Sequence, residues 1–377
     1  MPEKEFGCSS DALGPAIHSI GAVPGHGETI FSGWLAEPES VPIRWNRLPL
    51  RRVEPFGAPR GEAVDPKEGA VRSAPEPQRG LGTCFGYEVH SGLPFRSLRP
   101  GGGAPLEVTD TAREPRTTDE DPLLHWFDEA GKAVAEVYQR DGAFDVRIDE
   151  VGWFQVDPST PSVAAPKAAH EVRREARLWG IPAILCFLQR GDLPFHAAAV
   201  DVDGSALLLA APGRHGKSTL AGAFLRAGHR VLSEDVACCR GRPNASVLPG
   251  PAMLRIRRDM YERLDFPGTD MVAEDPDRVY LTIDESQRGD ASPLPIRGVV
   301  FLRPSEGQPA MERLARELAV PDLWSLSLNL PTDQSRAHSF QEVTALAAEV
   351  PLWNLYRRLK VDQLPETVDR IVSACLP

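Results

Sequence analysis

The sequence lacks a long hydrophobic run, an excess of positive charge and any paired-cysteine motif, and each absence excludes a class of protein. No apolar stretch approaches the roughly 18 residues of a membrane-spanning helix, and the N-terminal residues show no signal-peptide core. A net charge of −11 leaves no general basic field that would attract nucleic acid. The six cysteines show no C-x-x-C spacing, so we expect reduced thiols in a cytoplasmic protein. Neither nucleic acid nor a membrane is an expected partner.

The composition is typical of a soluble globular protein, with 42% hydrophobic and 25% charged residues. A chain of 377 residues is long enough for one large or two ordinary domains. Residues 1–82 are rich in proline and glycine, which predicts an irregular N-terminal segment. The pattern then changes to strands over 83–160, and to alternating strands and helices over 161–377. We expect three regions with these boundaries.

Strand signals are clearest between residues 133 and 156. Residues 144–148 alternate apolar and charged side chains, as a half-buried strand does. The pair Asp141-Gly142 separates them from an apolar run at 133–139 and predicts a hairpin. A third strand can follow at 152–156, so the sequence predicts a small antiparallel meander.

A stretch in the middle of the chain has the layout of a phosphate-binding loop. The apolar run 206–210 has the length of a buried strand, and the tetrapeptide Gly-Lys-Ser-Thr follows at 216–219. A helical pattern comes next and ends at Gly228, where a C-cap belongs. A short apolar segment then leads to two carboxylates, Glu234 and Asp235.

The chemistry of this layout favours phosphate binding. The amides of a strand-to-helix loop point into one concavity, and the helix N-terminus adds partial positive charge. The amine of Lys217 can pair with phosphates, and the hydroxyl of Ser218 can ligate Mg²⁺. Carboxylates across the crevice lie where a metal and an attacking hydroxyl would sit.

The loop departs from the pattern G-x-x-x-x-G-K-[ST] at its first position, which is Ala211. A methyl group is tolerated there only where the backbone does not need a positive φ. We expect Gly213 to supply the flexibility instead. Arg214 and His215 lie inside the loop, where each could donate to a phosphate or remain solvated.

Residues 195–239 resemble the catalytic core of the HPr kinase/phosphorylase superfamily, particularly its smaller relatives in bacterial peptide-modification gene clusters such as those of lasso peptides. The features shared in order are the strand Phe195-His196-Ala197-Ala198-Ala199-Val200, the turn Asp203-Gly204, Gly-Lys-Ser-Thr at 216–219, Gly228-His229-Arg230 and Glu234-Asp235. Three residues depart from the family pattern. Ala211 and Arg214 replace glycines, and Glu234 stands where the family has aspartate.

The resemblance implies a fold and a set of site residues. The fold class would be α/β, with an HPr-kinase-like and PEP-carboxykinase-like P-loop core over 161–377, a mixed sheet flanked by helices, preceded by the small antiparallel β region. ATP and Mg²⁺ would be the cofactors, with Ser218 and Asp235 holding the metal and Glu234 accepting a substrate proton. The residues implied to bind the nucleotide are Gly213, Arg214, His215, Gly216, Lys217, Ser218 and Thr219. The residues implied to act in catalysis are Glu234, Asp235, Lys217 and His196, the last of which could equally be a packed core histidine.

The leading hypothesis for function is transfer of the γ-phosphoryl group of ATP to a hydroxyl. The expected acceptor is a serine, at its side chain or C-terminus, in a ribosomal precursor peptide or small protein. One alternative is a kinase or nucleotidyltransferase acting on a small-molecule hydroxyl in natural-product biosynthesis. Another is a nucleotide-binding pseudokinase or regulator, which the three departures would fit. Some superfamily members are hexamers, and the sequence leaves a homo-oligomer open.

Beyond the loop the sequence predicts further elements. They are a helix over 167–190 broken near Pro182, strands at 297–302 and 350–356, helices at 310–318, 322–330, 340–348 and 364–376, and a long polar loop over 267–295. Alternation places Arg255 and Arg257 on one strand face. One of them could reach the nucleotide or an acidic substrate, and a solvated face is the plainer interpretation. The vicinal pair Cys238-Cys239 is interpreted as strand packing.

Overall fold

The computed structural model of the protein describes residues 82–376 except 111, 113–120, 129–130, 168 and 243. The predicted irregular segment 1–82 lies outside the described residues apart from Gly82. No described helix combines the length and the apolar composition needed to cross a membrane. The five cysteines in this part of the chain are buried and free. Cys238 and Cys239 are fully buried within one strand, which confirms strand packing.

The first sheet contains eight strands, and one half of it confirms the predicted meander. The strands are β1 (Thr83–Cys84), β2 (Tyr87–Ser91), β3 (Ala104–Thr109), β4 (Leu124–Phe127), β5 (Ala133–Arg140), β6 (Ala143–Ile148), β7 (Gly152–Asp157) and β8 (Ser162–Ala164). β5 to β8 pair antiparallel in sequence order. The turn between β5 and β6 is made by Asp141 and Gly142 at φ of 48° and 85°, the positive angles that a tight hairpin requires.

The first sheet as a whole is mixed, so the expectation of an antiparallel region is wrong in part. β3 pairs in parallel with both β2 and β8. A parallel pair needs a crossover connection of about a dozen residues, and the segment 92–103 provides it between β2 and β3. Strand periodicity alone carries no information on this connection.

Two helices cover the first sheet. The helix predicted to break near Pro182 is α1 (Glu171–Leu178) followed by α2 (Ile181–Arg190), with the proline in the first turn of α2. Proline is tolerated there because a first-turn N–H has no helical partner. Leu185 is 3% exposed and belongs to the hydrophobic core that the strands of the first sheet form.

The remaining elements build a nine-stranded sheet, a three-stranded sheet and their helices. In chain order they are β9 (Leu193–Phe195), β10 (Ala197–Val202), β11 (Ser205–Ala210), α3 (Lys217–Arg226), β12 (Arg230–Ser233), β13 (Ala237–Arg240), β14 (Ser246–Leu248), β15 (Met253–Arg257), α4 (Arg258–Tyr261), β16 (Thr269–Glu274), β17 (Arg278–Ile283), α5 (Glu285–Arg288), β18 (Leu294–Pro304), β19 (Ala310–Arg313), α6 (Arg316–Leu326), α7 (Asp333–Glu349), β20 (Leu352–Arg357) and α8 (Leu364–Cys375). The large sheet has the order β12-β10-β11-β18-β14-β13-β9, with β20 also beside β18 and β19 beside β20. The small sheet has the order β15-β17-β16.

Alternation along β11 divides the core of the large sheet into two layers. Leu207 and Leu209 belong to a core that includes residues of α3 and α8, whereas Leu208 belongs to the core that includes α6 and α7. A strand buried on both faces has a continuous apolar sequence, as 206–210 has. The result is a mixed sheet flanked by helices, which confirms the α/β class.

Three predicted elements differ from the structure. The polar loop expected over 267–295 contains the β16–β17 hairpin and α5, because the apolar side chains of β17 are buried between β15 and β16. The helix expected over 310–318 begins instead as β19, whose four residues pair with β20 at the sheet edge. α6 then covers residues 316–318 of that predicted helix and residues 322–326 of the helix predicted over 322–330. The strands at 297–302 and 350–356 and the helices at 340–348 and 364–376 are confirmed as parts of β18, β20, α7 and α8.

Candidate active site

The candidate site lies where three parallel strands end. β11 pairs in parallel with β18, and β18 with β20, so their carboxyl ends meet at one edge of the sheet. Ligands of open α/β sheets bind outside this edge. The chain leaves β11 through the loop 211–216 and enters α3 at Lys217, so a helix N-terminus begins at the same edge.

The loop accommodates Ala211 without backbone strain. Ala211 is 2% exposed and its φ is not positive, so its methyl group fits where a glycine was expected. Positive φ angles occur at Arg214, 66°, and Gly216, 81°. Gly213, the expected flexible position, has no positive φ. The family pattern has glycine at position 214, and the left-handed backbone of Arg214 shows why glycine suits that position.

The lysine of the loop is buried. Lys217 is 6% exposed, and its Nζ donates to the carbonyls of Ala211 at 2.7 Å and Pro212 at 3.1 Å. Nζ also lies 2.8 Å from Nε2 of His196. Burial lowers the pKa of this amine, while the two nearby carboxylates act in the opposite direction. The amine therefore points into the loop and not into bulk water.

The first carboxylate of the acidic pair faces the start of α3. Glu234 follows the last residue of β12 and is 6% exposed. The hydroxyl of Ser218 donates a hydrogen bond to Oε1 of Glu234. Burial raises the pKa of the Glu234 carboxyl, Asp235 acts in the same direction, and Arg255 opposes both. The structure thus brings Ser218 together with Glu234, whereas the resemblance implied a metal site of Ser218 and Asp235.

The second carboxylate is more accessible. The side chain of Asp235 is 40% exposed and accepts a hydrogen bond from Nη2 of Arg255 at 2.8 Å. Its Oδ1 lies 3.5 Å from Nδ1 of His196. Desolvation raises the pKa of Asp235, but the cationic Arg255, with His196 and Lys217, outweighs it and holds this pKa well below its ordinary value.

His196 connects the lysine to the second carboxylate. His196 occupies the junction between β9 and β10, where its backbone N–H donates to the carbonyl of Leu326 at 2.9 Å. Burial lowers the pKa of His196 to about 4, and Lys217 acts in the same direction against Asp235. The ring is therefore neutral near pH 7. Because the ammonium of Lys217 can only donate, Nε2 accepts and Nδ1 carries the ring hydrogen toward Asp235.

Arg255 contacts both carboxylates of the acidic pair, so the interpretation as a solvated face is wrong for this residue. Its side chain is 18% exposed, and its Nε lies 3.5 Å from Oε2 of Glu234 while Nη2 binds Asp235. The two carboxylates raise the pKa of Arg255 even though burial lowers it. Arg257, two residues along β15, instead pairs with Asp259 on an exposed surface. Alternation identified the shared face, but only the fold distinguishes the two arginines.

Two further arginines at the strand ends were missed. Arg357, the last residue of β20, is 3% exposed, and its Nη2 donates to the carbonyls of His215 at 3.4 Å and Gly216 at 3.5 Å. Arg303, near the end of β18, donates to Asn354 at 3.0 Å and pairs with Asp322. The sequence signal that could have indicated both arginines is their position at the carboxyl ends of predicted strands.

The other predicted nucleotide-binding residues lie around the same turn. Gly213 and Thr219 are half-buried, and Arg214 is exposed. His215 is half-buried, and its Nδ1 has no hydrogen-bond partner within the described part of the chain. Burial lowers the pKa of His215, and the charges of Lys217 and Arg303 lower it further.

Comparison with known proteins does not identify the chain. No family model matches it, and no curated protein matches it. Among solved structures it is similar to the HPr(Ser) kinase/phosphatase from Coxiella burnetii, with 12% sequence identity and a TM-score of 0.26. That match covers 48% of this chain and 94% of the other. So distant a likeness carries no argument about activity.

Proposed function

We propose that the protein is an ATP- and Mg²⁺-dependent kinase that transfers the γ-phosphoryl group to a hydroxyl. One observation carries this proposal: the loop between β11 and α3 buries the amine of Lys217 against His196, whose ring also faces Asp235, and the next residue, Ser218, is hydrogen-bonded to Glu234. A buried cation, a helix N-terminus and two carboxylates at one sheet edge supply the groups that phosphoryl transfer requires.

The residues at the start of α3 fit Mg²⁺. A serine hydroxyl and a carboxylate are the hard oxygen ligands that this ion prefers. No cluster of three or more metal-binding side chains is present among the described residues. That fits an ion held by one or two protein groups together with phosphates and water. When bound, Mg²⁺ would neutralise charge on the phosphates.

The geometry favours roles for the two carboxylates that differ from those implied by the resemblance. Glu234 is buried and hydrogen-bonded to Ser218, so we assign it to the metal with that serine. Asp235 is 40% exposed, so an acceptor hydroxyl can reach it. The low pKa of Asp235 makes it a weak base, which suffices because a loose transfer step needs mainly orientation of the hydroxyl.

In the proposed reaction the acceptor oxygen forms a bond to the γ-phosphorus, and the bond from that phosphorus to the β–γ bridging oxygen breaks. The electron pair of the broken bond leaves with ADP. Asp235 orients the hydroxyl and accepts its proton. Lys217 binds the phosphates, for which it must exchange its contacts with the carbonyls of Ala211 and Pro212.

The acceptor that we propose is a serine of a peptide or small protein. The exposure of Asp235 lets an acceptor hydroxyl approach from solvent, on a peptide or on a small molecule, and the choice of a peptide follows from the family resemblance of residues 195–239. Product mass separates this reaction from the alternatives. A gain of one phosphate on a peptide supports the proposal, phosphate on a small molecule redirects the acceptor class, and a gain of a nucleotide indicates a nucleotidyltransferase. Nucleotide binding without any product indicates a pseudokinase.

The roles of the carboxylates are tested with Glu234→Gln and Asp235→Asn. We expect Glu234→Gln to raise the Mg²⁺ concentration needed for half-maximal ATP binding by about tenfold or more, as loss of a charged ligand worth ~1.4 kcal/mol would. Asp235→Asn should keep MgATP affinity and lose turnover by about 100-fold or more. The measurements are equilibrium binding across a Mg²⁺ titration and release of ADP. The reverse pattern would restore the roles that the resemblance implied.

A further inference from the structure

Arg357, next to the loop 211–216, is a buried cation that has no acidic partner among the residues that the structure describes. Of the arginines at this sheet edge, Arg255 binds both carboxylates of the acidic pair and Arg303 pairs with Asp322. No carboxylate in the described part of the chain forms an ion pair with Arg357, and its buried Nε has no hydrogen-bond partner there. Its side chain is nevertheless 3% exposed. An uncompensated buried charge costs stability, so its presence needs a reason.

The guanidinium is held tightly against the last turn of the loop. A Cβ atom built on Gly216 would lie 2.6 Å from Nη2 of Arg357, so the two groups are in close contact. Gly216 also has a φ of 81°, which disfavours any side chain there. The positive φ favours glycine at position 216, and a side chain there would also displace the guanidinium of Arg357.

Arg357 contacts the backbone of the loop where α3 begins. Its Nη2 donates to the carbonyls of His215 and Gly216. The Gly216 carbonyl also accepts from the N–H of Leu220 at 3.0 Å in the first turn of α3. The guanidinium therefore lies beside the turn that joins the loop to the helix.

The contacts of Arg357 are long for a charged donor, at 3.4 and 3.5 Å, against the 2.7–2.9 Å typical of charge-assisted hydrogen bonds. Burial alone lowers the pKa of Arg357, to about 10, with no acidic group raising it. The residue is therefore charged at neutral pH and incompletely satisfied. A bound polyphosphate would supply the missing negative charge.

We propose that Arg357 is a positioning residue for polyphosphate, which contacts the loop at His215 and Gly216 and whose charge is balanced when the anion binds. This inference rests on the proposed nucleotide-binding function and extends it to a residue at the end of β20. It predicts that Arg357 costs stability in the free protein and contributes affinity in the complex, the opposite of what a structural arginine does.

The test compares the full-length wild type with Arg357→Met, Arg357→Lys and Arg358→Met. Arg358 is a matched control because it is the next residue and donates to the carbonyl of Glu306, away from the loop. Thermal unfolding without ligand and calorimetric titration with inorganic tripolyphosphate and with MgATP are measured on each. Adenosine serves as the ligand that lacks phosphate.

We expect Arg357→Met to unfold at the same temperature as wild type or higher without ligand, and to bind tripolyphosphate about tenfold or more weakly. Arg357→Lys should recover part of that affinity, since it keeps the charge without the planar fork. Arg358→Met should match wild type.

A lower unfolding temperature of Arg357→Met with unchanged tripolyphosphate affinity would overturn the inference, as would failure of both Arg357 variants to fold. If wild type and Arg357→Met bind tripolyphosphate with equal affinity, this inference fails and the proposed function stands. If wild type binds neither polyphosphate nor MgATP, the proposed function fails with it.

Discussion

At the scale of single residues, the site depends on a neutral histidine between a cation and an anion. His196 accepts from Lys217 and faces Asp235, and burial keeps its ring uncharged. Lys217 and Asp235 were proposed from the sequence because each follows an apolar strand, and His196 was proposed from the family resemblance. Alternation left Arg255 and Arg257 as alternatives and did not indicate Arg357, since these contacts form only when separate strands pair.

The first prediction concerns the pH dependence of stability. The pKa of His196 falls from 6.5 to about 4 on folding. Between these values the unfolded chain binds a proton that the folded protein does not. The free energy of unfolding is therefore at its full value above pH 6.5 and decreases as the pH falls toward 4. We expect His196→Gln to reduce the loss of unfolding free energy across this interval by roughly 3 kcal/mol. Urea unfolding at several pH values measures it.

A control for this prediction is His338→Gln, which changes a histidine that hydrogen-bonds to the carbonyl of Gly191 outside the site. Its pH profile should follow that of wild type. Identical profiles for wild type and His196→Gln would show that His196 is already solvated in the folded protein.

The second prediction concerns the lysine. Lys217→Met should leave the fold intact, because it replaces a buried cation with an apolar side chain of similar length. It should weaken MgATP binding by about tenfold or more and abolish phosphoryl transfer. Lys360→Met, at an exposed position, is the matched control. Transfer that persists in Lys217→Met would contradict the site assignment.

At the scale of elements, local signals were sufficient for hairpins whose turn is an Asp-Gly pair. The hairpin of β10 and β11 is such a case, since Asp203 and Gly204 both take the positive φ of a tight turn. The hairpin of β16 and β17 was missed although only residues 275–277 separate its strands, because prolines and acidic residues dominate the segment 267–295. The strand β19 was missed because its pairing with β20 overrides a helical pattern. Only the second miss is caused by pairing between distant parts of the chain.

The third prediction concerns the packing of α3. A Cβ atom on Gly222 would overlap the ring of Phe266, which stacks on Tyr261 at 6.2 Å between ring centres. Gly222→Ala gains about 1 kcal/mol of helix propensity, and overpacking a buried contact costs about 1–3 kcal/mol. We expect net destabilisation of about 1 kcal/mol in urea unfolding. Gly92→Ala, where the added methyl would meet open space, is the control. A stabilised Gly222→Ala would show that Phe266 moves freely.

At the scale of the whole molecule, the first sheet braces the strand that carries the acidic pair. Arg99 is 1% exposed, and its Nη2 donates to the carbonyls of Val231 at 2.7 Å and Leu232 at 3.1 Å in β12. Its Nε donates to Gly250 at 2.8 Å. Glu234 follows β12 directly, so this contact positions it. This contact could not be predicted, because the residues that it joins are about 130 positions apart and no local pattern encodes such a pair.

The fourth prediction is that Arg99→Met destabilises the protein by about 3 kcal/mol, since buried carbonyls lose charged donors at good hydrogen-bonding distance. Amide hydrogen exchange in β12 should accelerate with it. Arg316→Met, which removes an exposed pair with Glu317, should change neither quantity. Unaltered exchange in β12 would show that the two sheets do not depend on this residue.

The most direct test of the account is calorimetric titration of ATP into the full-length chain with and without Mg²⁺. The account predicts saturable binding of one nucleotide per chain that requires Mg²⁺ for full affinity and is weakened by Lys217→Met. No binding at millimolar MgATP by a folded wild-type protein, or equal binding by Lys217→Met, would contradict it.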